Sequence, residues 1–384
     1  MRKTPYRKVR RFFIPLEVQL GSESPNPFFY LCPMYDYLIV GLGLAGVSIC
    51  ETLELHQKRF KVITDHSQRS SEVAAGLYNP VILKRFTRAW EADKQLELAQ
   101  PFYQKVAQKL QLKLDHVLPV LRRFASVEEQ NLWFEAADRP GLKPFMSTEI
   151  VPNTNPHIDA PFGYGRVWQT GRLDTALLLK SYASYLESQG ALLKETFDFA
   201  QLHIANDAVS YKQIKAKNLV FAMGYGLKMD PYFNYLPLNG TKGELLTIEA
   251  PVLEVSEIIK SGVFCIPLGQ NRFRVGATYK WKDKTNIPTE EARTELLEKL
   301  ESFLKCPYKV VDHVAGIRPT VADRRPLVGR HPKFNNLFIL NGLGSRGVLI
   351  APYAAKQLYE FIEDGEPLNP DMDISRFASH YQRS

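Results

Sequence analysis

The stretch Tyr35 to Glu51 reads YDYLIVGLGLAGVSICE and sets Gly41, Gly43 and Gly46 in Gly-x-Gly-x-x-Gly spacing. That spacing suits a dinucleotide. The first glycine permits a tight turn, the second lets backbone approach a pyrophosphate, and the third lets a helix pack on a strand. Asp65 follows at the end of a second apolar stretch, about 20 residues on, where an acid can accept from ribose hydroxyls. These residues imply redox chemistry with FAD or NAD(P).

Other chemistries are not written in the chain. His157, His203, His313 and His331 form no metal-ligand spacing, and no Gly-x-Ser-x-Gly elbow or Gly-x-x-x-x-Gly-Lys-[Ser/Thr] loop is present. No metal site is expected. Cys32, Cys50, Cys265 and Cys306 are scattered, with no Cys-x-x-Cys pair. This usage fits a reducing compartment, so a cytoplasmic location is expected. No apolar run is long enough to span a bilayer, and stable membrane insertion is not expected.

The elements that must position the glycines can be read around them. Tyr37 to Val40 is a short apolar run suited to a buried parallel strand, and VSICETLEL after the turn has helical spacing. Phe60 to Thr64 reads as the next strand. Gly171 to Ala191 predicts an amphipathic helix, with Asp174 near its start and Gly190 after its end. Asn218 to Gly226 is another strand running into a glycine turn, fit to resume an interrupted nucleotide-binding domain. Between Leu236 and Lys282 short alternating segments predict an antiparallel sheet, and TEEARTELLEKLESFL a polar-faced helix. Asn336 to Ile362 is a third strand–glycine–helix unit, with Arg346 inside its turn.

Length and charge bound the rest. The 384 residues suffice for one large or two interleaved domains, and composition (45% hydrophobic, 23% charged) is that of a globular protein. Half of the formal charge of +8 sits at the start, where Arg2, Lys3, Arg7, Lys8, Arg10 and Arg11 face only Glu17 and Glu23. A nucleic-acid reading from net charge would lean on that segment. Pro15 and Glu17 interrupt its apolar stretch, which argues against a signal peptide. Residues 1–33 are read as a basic extension outside the fold, with Met34 as the expected start of the working protein.

Taken together, the Gly-x-Gly-x-x-Gly, SSEVAAGL, GRLDTALL, TKGELL, FRVGAT, GIRPTVADRRPLVG and GLGSRGVLIAP resemble the D-amino-acid oxidase family of FAD-dependent oxidoreductases, nearest its glycine oxidase branch. The likeness runs from Met34 essentially to the C-terminus. GLGSRGVLIAP is also similar to the FAD domain of the bifunctional enzyme that modifies the tRNA wobble uridine. The resemblance implies an α/β fold: a Rossmann-like FAD-binding domain of the glutathione-reductase type with an interleaved antiparallel-sheet substrate domain. The expected division is 34–95, 165–235 and 310–384 for FAD, and 96–164 and 236–309 for substrate.

The resemblance further implies non-covalent FAD, since no cysteine or histidine stands where covalently flavinylated relatives attach theirs. It places Gly41, Leu42, Gly43, Leu44, Ala45 and Gly46 on the pyrophosphate and Asp65, with His66 beside it, on the adenosine ribose. Ser70, Ser71, Ala75, Gly76 and Leu77 would lie along the cofactor. Phe199 would offer a backbone contact to adenine, and Gly344, Ser345, Arg346, Gly347, Val348, Leu349 and Ile350 would approach the flavin. Arg318 and Arg346 match the family's carboxylate-binding arginines, whose planar forks suit two parallel hydrogen bonds. Taken alone, either would read as a surface ion-pair partner. Asp323 suggests a local ion-pair cluster with Arg324 and Arg325. Phe264 stands where glycine oxidases offer a tyrosine, which puts glycine in doubt as substrate. Tyr279 and Trp281 could line the pocket.

The expected activity is oxidation of a small amino acid (a D-amino acid among them) or secondary amine, with hydride passing from Cα to flavin N5. Oxygen or a quinone would be the electron acceptor, and the chain could form a homo-oligomer. An alternative is oxidation of a carboxymethylaminomethyl uridine in tRNA, with Lys84, Arg85 and Arg88 interleaved with Phe86 and Trp90 as the contact. A third is a flavoprotein without turnover.

Overall fold

The computed structural model describes residues 34–382. The expectations about the extension 1–33 and about Cys32 lie outside the described residues.

Tyr35–Val40 is a strand in which Leu38 and Ile39 are fully buried. A continuous apolar run suits a parallel strand covered on both faces. Phe60–Thr64 and Ile214–Phe221 flank it, both parallel. Leu192–Lys194 continues the sheet in parallel beyond Phe60–Thr64. The outer edge of Ile214–Phe221 is shared. Val209–Tyr211 pairs antiparallel at its start and Leu337–Asn341 parallel at its end. Ile214–Phe221 thus resumes the nucleotide-binding sheet next to the first strand.

Helices at this sheet follow the sequence signals. Leu44–Leu55 begins at the glycine turn, with Gly43 as its N-cap. Thr175–Ser188 is capped by Asp174, whose carboxylate accepts from the Leu177 N–H at 3.1 Å, and Gly190 follows with φ +63°. Such an acid satisfies one of the orphan donors of the first turn. Gly347–Glu363 rises from the third glycine turn and packs against Leu44–Leu55.

A second eight-stranded sheet runs in the order Lys309–Arg318, Thr241–Glu249, Arg272–Gly276, Phe264–Gly269, Ile258–Lys260, Val120–Arg123, Tyr164–Val167, Met146–Val151. It is antiparallel except where Ile258–Lys260 lies parallel to Val120–Arg123. A parallel pair needs a long crossover, and residues 124–257 supply one. The helix Glu290–Glu301 covers this sheet, its start capped by Thr289.

Sheet membership moves three expected boundaries. Lys309–Arg318 pairs with Thr241–Glu249 along its length, so the chain returns to the first sheet only at Leu327–Arg330. Tyr164–Val167 belongs to the second sheet. The helix Ala92–Leu110, expected on the substrate side from residue 96, packs on Gly347–Glu363, where Tyr103 Oη donates to the Val348 carbonyl at 2.8 Å. Among the described residues no helix is long and apolar enough to cross a membrane.

Candidate functional site

A cleft of about 1630 Å³ runs along the carboxyl ends of the first sheet's strands and across the second sheet. Small-ligand pockets span roughly 300–1,000 Å³, so this one has room for a dinucleotide with a substrate beside it.

The glycine turn forms one end. Gly41 has φ +104°, and a Cβ there would lie 2.4 Å from the Ala222 carbonyl oxygen. A Cβ on Gly46 would lie 2.1 Å from the Gly41 oxygen. Positions 41 and 46 are therefore closed to any side chain, which lets backbone come close at the turn. Ser71 Oγ accepts from the Leu44 N–H at 3.2 Å, and no side chain caps the helix at Gly43. The other N–H groups of the first turn stay available to an anion.

Asp65 lies further along the cleft. Its carboxylate accepts from the Ser67 N–H at 2.9 Å and the Thr196 hydroxyl at 3.0 Å. Burial pushes its pKa up, but these bonds outweigh that and hold it below the ordinary carboxylate range. An ionised acid with lone pairs to spare suits ribose hydroxyls.

Of the residues expected at the cofactor, Leu42, Leu44, Ala45, His66, Ser70, Ser71, Ala75, Gly76 and Leu77 line the cleft with Gly41, Gly43 and Asp65. Gly344, Ser345, Arg346, Gly347, Val348 and Ile350 line it from the third glycine turn. Gly46 and Leu349 sit behind the wall. Phe199 does too: its ring packs on Phe197, Phe221 and Tyr232, and Glu195, Thr196 and Phe197 line the cleft in its place.

Arg318 ends its strand facing the cleft. Its Nη1 donates to the Thr278 carbonyl at 3.2 Å, and its guanidinium lies 4.4 Å from the Tyr279 ring centroid. A Cβ on Gly243, across the strand pair, would meet this guanidinium at 1.9 Å. Arg346 stands at the start of Gly347–Glu363, and its buried Nη1 has no hydrogen-bond partner. Neither arginine has an ion pair with a carboxylate among the described residues. Burial pushes both guanidinium pKa values down, an effect the neighbouring Tyr279 hydroxyl opposes. A buried cation without a counter-charge is costly, and an incoming carboxylate relieves that cost.

Tyr279, Trp281 and Phe264 also line the cleft, the first two about half exposed. The expected Asp323 cluster forms differently. Asp323 pairs with Arg376 at 2.9 Å and Arg325 with Asp371 at 3.4 Å, because the chain past residue 370 folds back over this turn. Arg324 and Arg325 both line the cleft. Sequence reasoning passed over Gly243, although a glycine inside a strand signals close approach. It also passed over Lys260, which carries no spacing signal.

Comparisons with known proteins agree with this geometry. Residues 36–361 match the model of the DAO family, FAD dependent oxidoreductase. Glycine oxidase of Bacillus subtilis is 22% identical over 353 residues, covering 86% of this chain and 94% of that protein. The tRNA 5-methylaminomethyl-2-thiouridine biosynthesis bifunctional protein MnmC of Marinobacter nauticus is 24% identical over 349 residues, covering 85% of this chain and 55% of that protein. The crystal structure of glycine oxidase from Geobacillus kaustophilus superposes with a TM-score of 0.71 at 20% identity, covering 90% of this chain and 98% of that one. With a matching family model over residues 36–361, the chain belongs to the DAO family of FAD-dependent oxidoreductases, and FAD is its cofactor.

Proposed function

We propose that this oxidoreductase oxidises a small amino acid or secondary amine that carries a carboxylate. The observation that carries the reading is a pair of half-buried arginines, Arg318 and Arg346, facing one cleft with no carboxylate partner among the described residues and with the buried Arg346 Nη1 unbonded. FAD, when bound, would supply the two-electron oxidation of the substrate amine to an imine, which water would hydrolyse. The chain's own task is positioning. Two guanidinium forks hold the carboxylate and so fix the direction of Cα, which is worth several kcal/mol of barrier in a well-aligned site. Arg318 is itself held by the Thr278 carbonyl and the Tyr279 ring, so its fork is set before substrate arrives. Tyr279 and Trp281 line the same cleft and offer the substrate an aromatic wall.

The test is Arg318→Ala with glycine, sarcosine and D-amino acids as substrates. Losing one partner of a buried charge pair costs about 2–5 kcal/mol, so KM should rise by about 30-fold or more while flavin stays bound. An unchanged KM would remove the clamp.

A second reading rests on the hairpin of Val81–Ile82 and Thr87–Arg88, which brings Lys84, Arg85 and Arg88 to the cleft. Arg88 is paired with Asp93 at 2.5 Å, whereas Lys84 and Arg85 have no ion pair among the described residues. A basic rim of this kind fits tRNA, and a salt-sensitive gel shift with tRNA, weakened by Lys84→Ala, would favour it.

A further inference from the structure

Lys260 is a cation on the cleft wall with no ion pair among the described residues. Its Nζ donates to the Ser261 carbonyl at 2.5 Å and the Gly262 carbonyl at 3.4 Å. It lies 4.8 Å from the Phe264 ring centroid. The acids nearby are already taken. Glu129 is held by Arg122, whose Nε approaches to 2.9 Å, and Glu295 pairs with Lys299 at 2.6 Å. Burial pushes the Lys260 pKa down to about 8, with Arg122 and Lys299 adding repulsion.

Register shows where this charge points. Lys260 pairs with Phe264, Phe264 with Gly276, and Gly276 with Leu245. Residues directly opposite one another share a face, and all four line the cleft. Gly243, against which the Arg318 guanidinium rests, is two residues from Leu245 and so on the same face. Three inter-strand spacings, about 14 Å between backbones, separate the Lys260 strand from the Gly243 strand. Both cations reach over this floor on long side chains. A substrate seated on Arg318 would therefore extend its far end toward Lys260, over the Phe264 ring.

We infer that Lys260 determines specificity by pairing with a second anionic group, carried on the substrate several bonds from the carboxylate that Arg318 and Arg346 hold. The inference rests on the carboxylate clamp of the preceding reading. It narrows the substrate class to acidic amines, such as amino acids or secondary amines with two carboxylates.

Binding of plain carboxylic acids to the holoenzyme tests it, read as perturbation of the flavin absorption spectrum. The acids form pairs matched in length: propionate with malonate, butyrate with succinate, pentanoate with glutarate. In the native protein at least the longest diacid should bind about ten-fold tighter than its monoacid, as a charge-assisted bond implies. Lys260→Met should bring that pair to within about two-fold, and Lys260→Arg should keep most of the gain. If Lys260→Met loses its flavin, Lys260→Gln makes the same comparison. Equal binding within every native pair, or a gain that survives in Lys260→Met, would overturn the assignment while leaving the clamp in place. A flavin spectrum indifferent to all six acids would overturn the clamp and this inference together.

Discussion

A Cβ built on Gly243 would lie 1.9 Å from the Arg318 guanidinium, so the fork occupies space that any other residue would fill. Gly243→Ala should displace Arg318 from its place against Tyr279 and the Thr278 carbonyl. Off-rotamer strain of about 0.5–1.5 kcal/mol, with a misdirected charge-assisted bond, should raise KM for the carboxylate substrate by about ten-fold or more. Flavin content should hold, because the Gly41 turn, proposed to hold the pyrophosphate, lies on the other sheet. Gly41→Ala should do the reverse. With φ +104° and the Ala222 oxygen 2.4 Å from any added Cβ, the cradle must deform and bound FAD should fall. Flavin content and KM measured on both variants check the pair, and equal effects on both quantities would contradict this division. At this scale the glycines were legible, because tight turns admit few residue types. The proposed role of the arginines rests on resemblance, since nothing local in the sequence distinguishes a clamp from a surface charge.

The strand Thr241–Glu249 carries the clamp's support on one face and a buried ion network on the other. Gly243 and Leu245 face the cleft, whereas Lys242 is 0% exposed and Glu244 1%. Lys242 Nζ reaches Asp283 at 2.5 Å and Glu244 at 3.3 Å, and Glu244 accepts from the Thr289 N–H at 2.8 Å. Alternation along TKGELL predicts the strand correctly, yet its polar face is not solvated, because the segment 277–289 crosses over it. That crossing is non-local and left no pattern in the strand itself. The same reason hid the pairing of Lys309–Arg318 with this strand. By contrast Asp174 and Gly190 announced their helix, since caps are local. The Lys242 ammonium holds the Asp283 carboxyl down at about 2, with the Thr285 N–H and hydroxyl helping. A carboxylate with a depressed folded pKa adds stability above its unfolded value of about 4. That stability is lost as pH falls through about 2. Urea unfolding midpoints between pH 5 and 2 should therefore decline in the native protein. Asp283→Asn should start lower and decline less steeply, and parallel curves for the two would rule out this contribution.

Across the whole molecule, the site exists only where the two sheets meet. Arg318 ends a strand of the second sheet, while Arg346 starts a helix packed on the first. FAD laid from the Gly41 turn to the Arg346 turn would contact both, and residues from Met34 onward form one compact unit. The cofactor's binding energy should then stabilise the entire unit rather than one half. A ligand bound to the folded state alone adds about 2.7 kcal/mol at a hundred times its Kd. Apoprotein prepared by acid or bromide dialysis should melt several degrees below the holoprotein, and added FAD should restore the difference in proportion to the logarithm of its concentration. Cys50, Cys265 and Cys306 are buried, free and away from the cleft wall, so no described cysteine can tether the flavin. Acid precipitation should leave FAD in the supernatant, and its fluorescence should rise in step with loss of secondary structure on heating. Flavin that stays with the precipitate would mean a covalent link through another residue. Flavin released well before the fold melts would mean that the two sheets hold together without it, and the clamp would then be preformed independently of the cofactor.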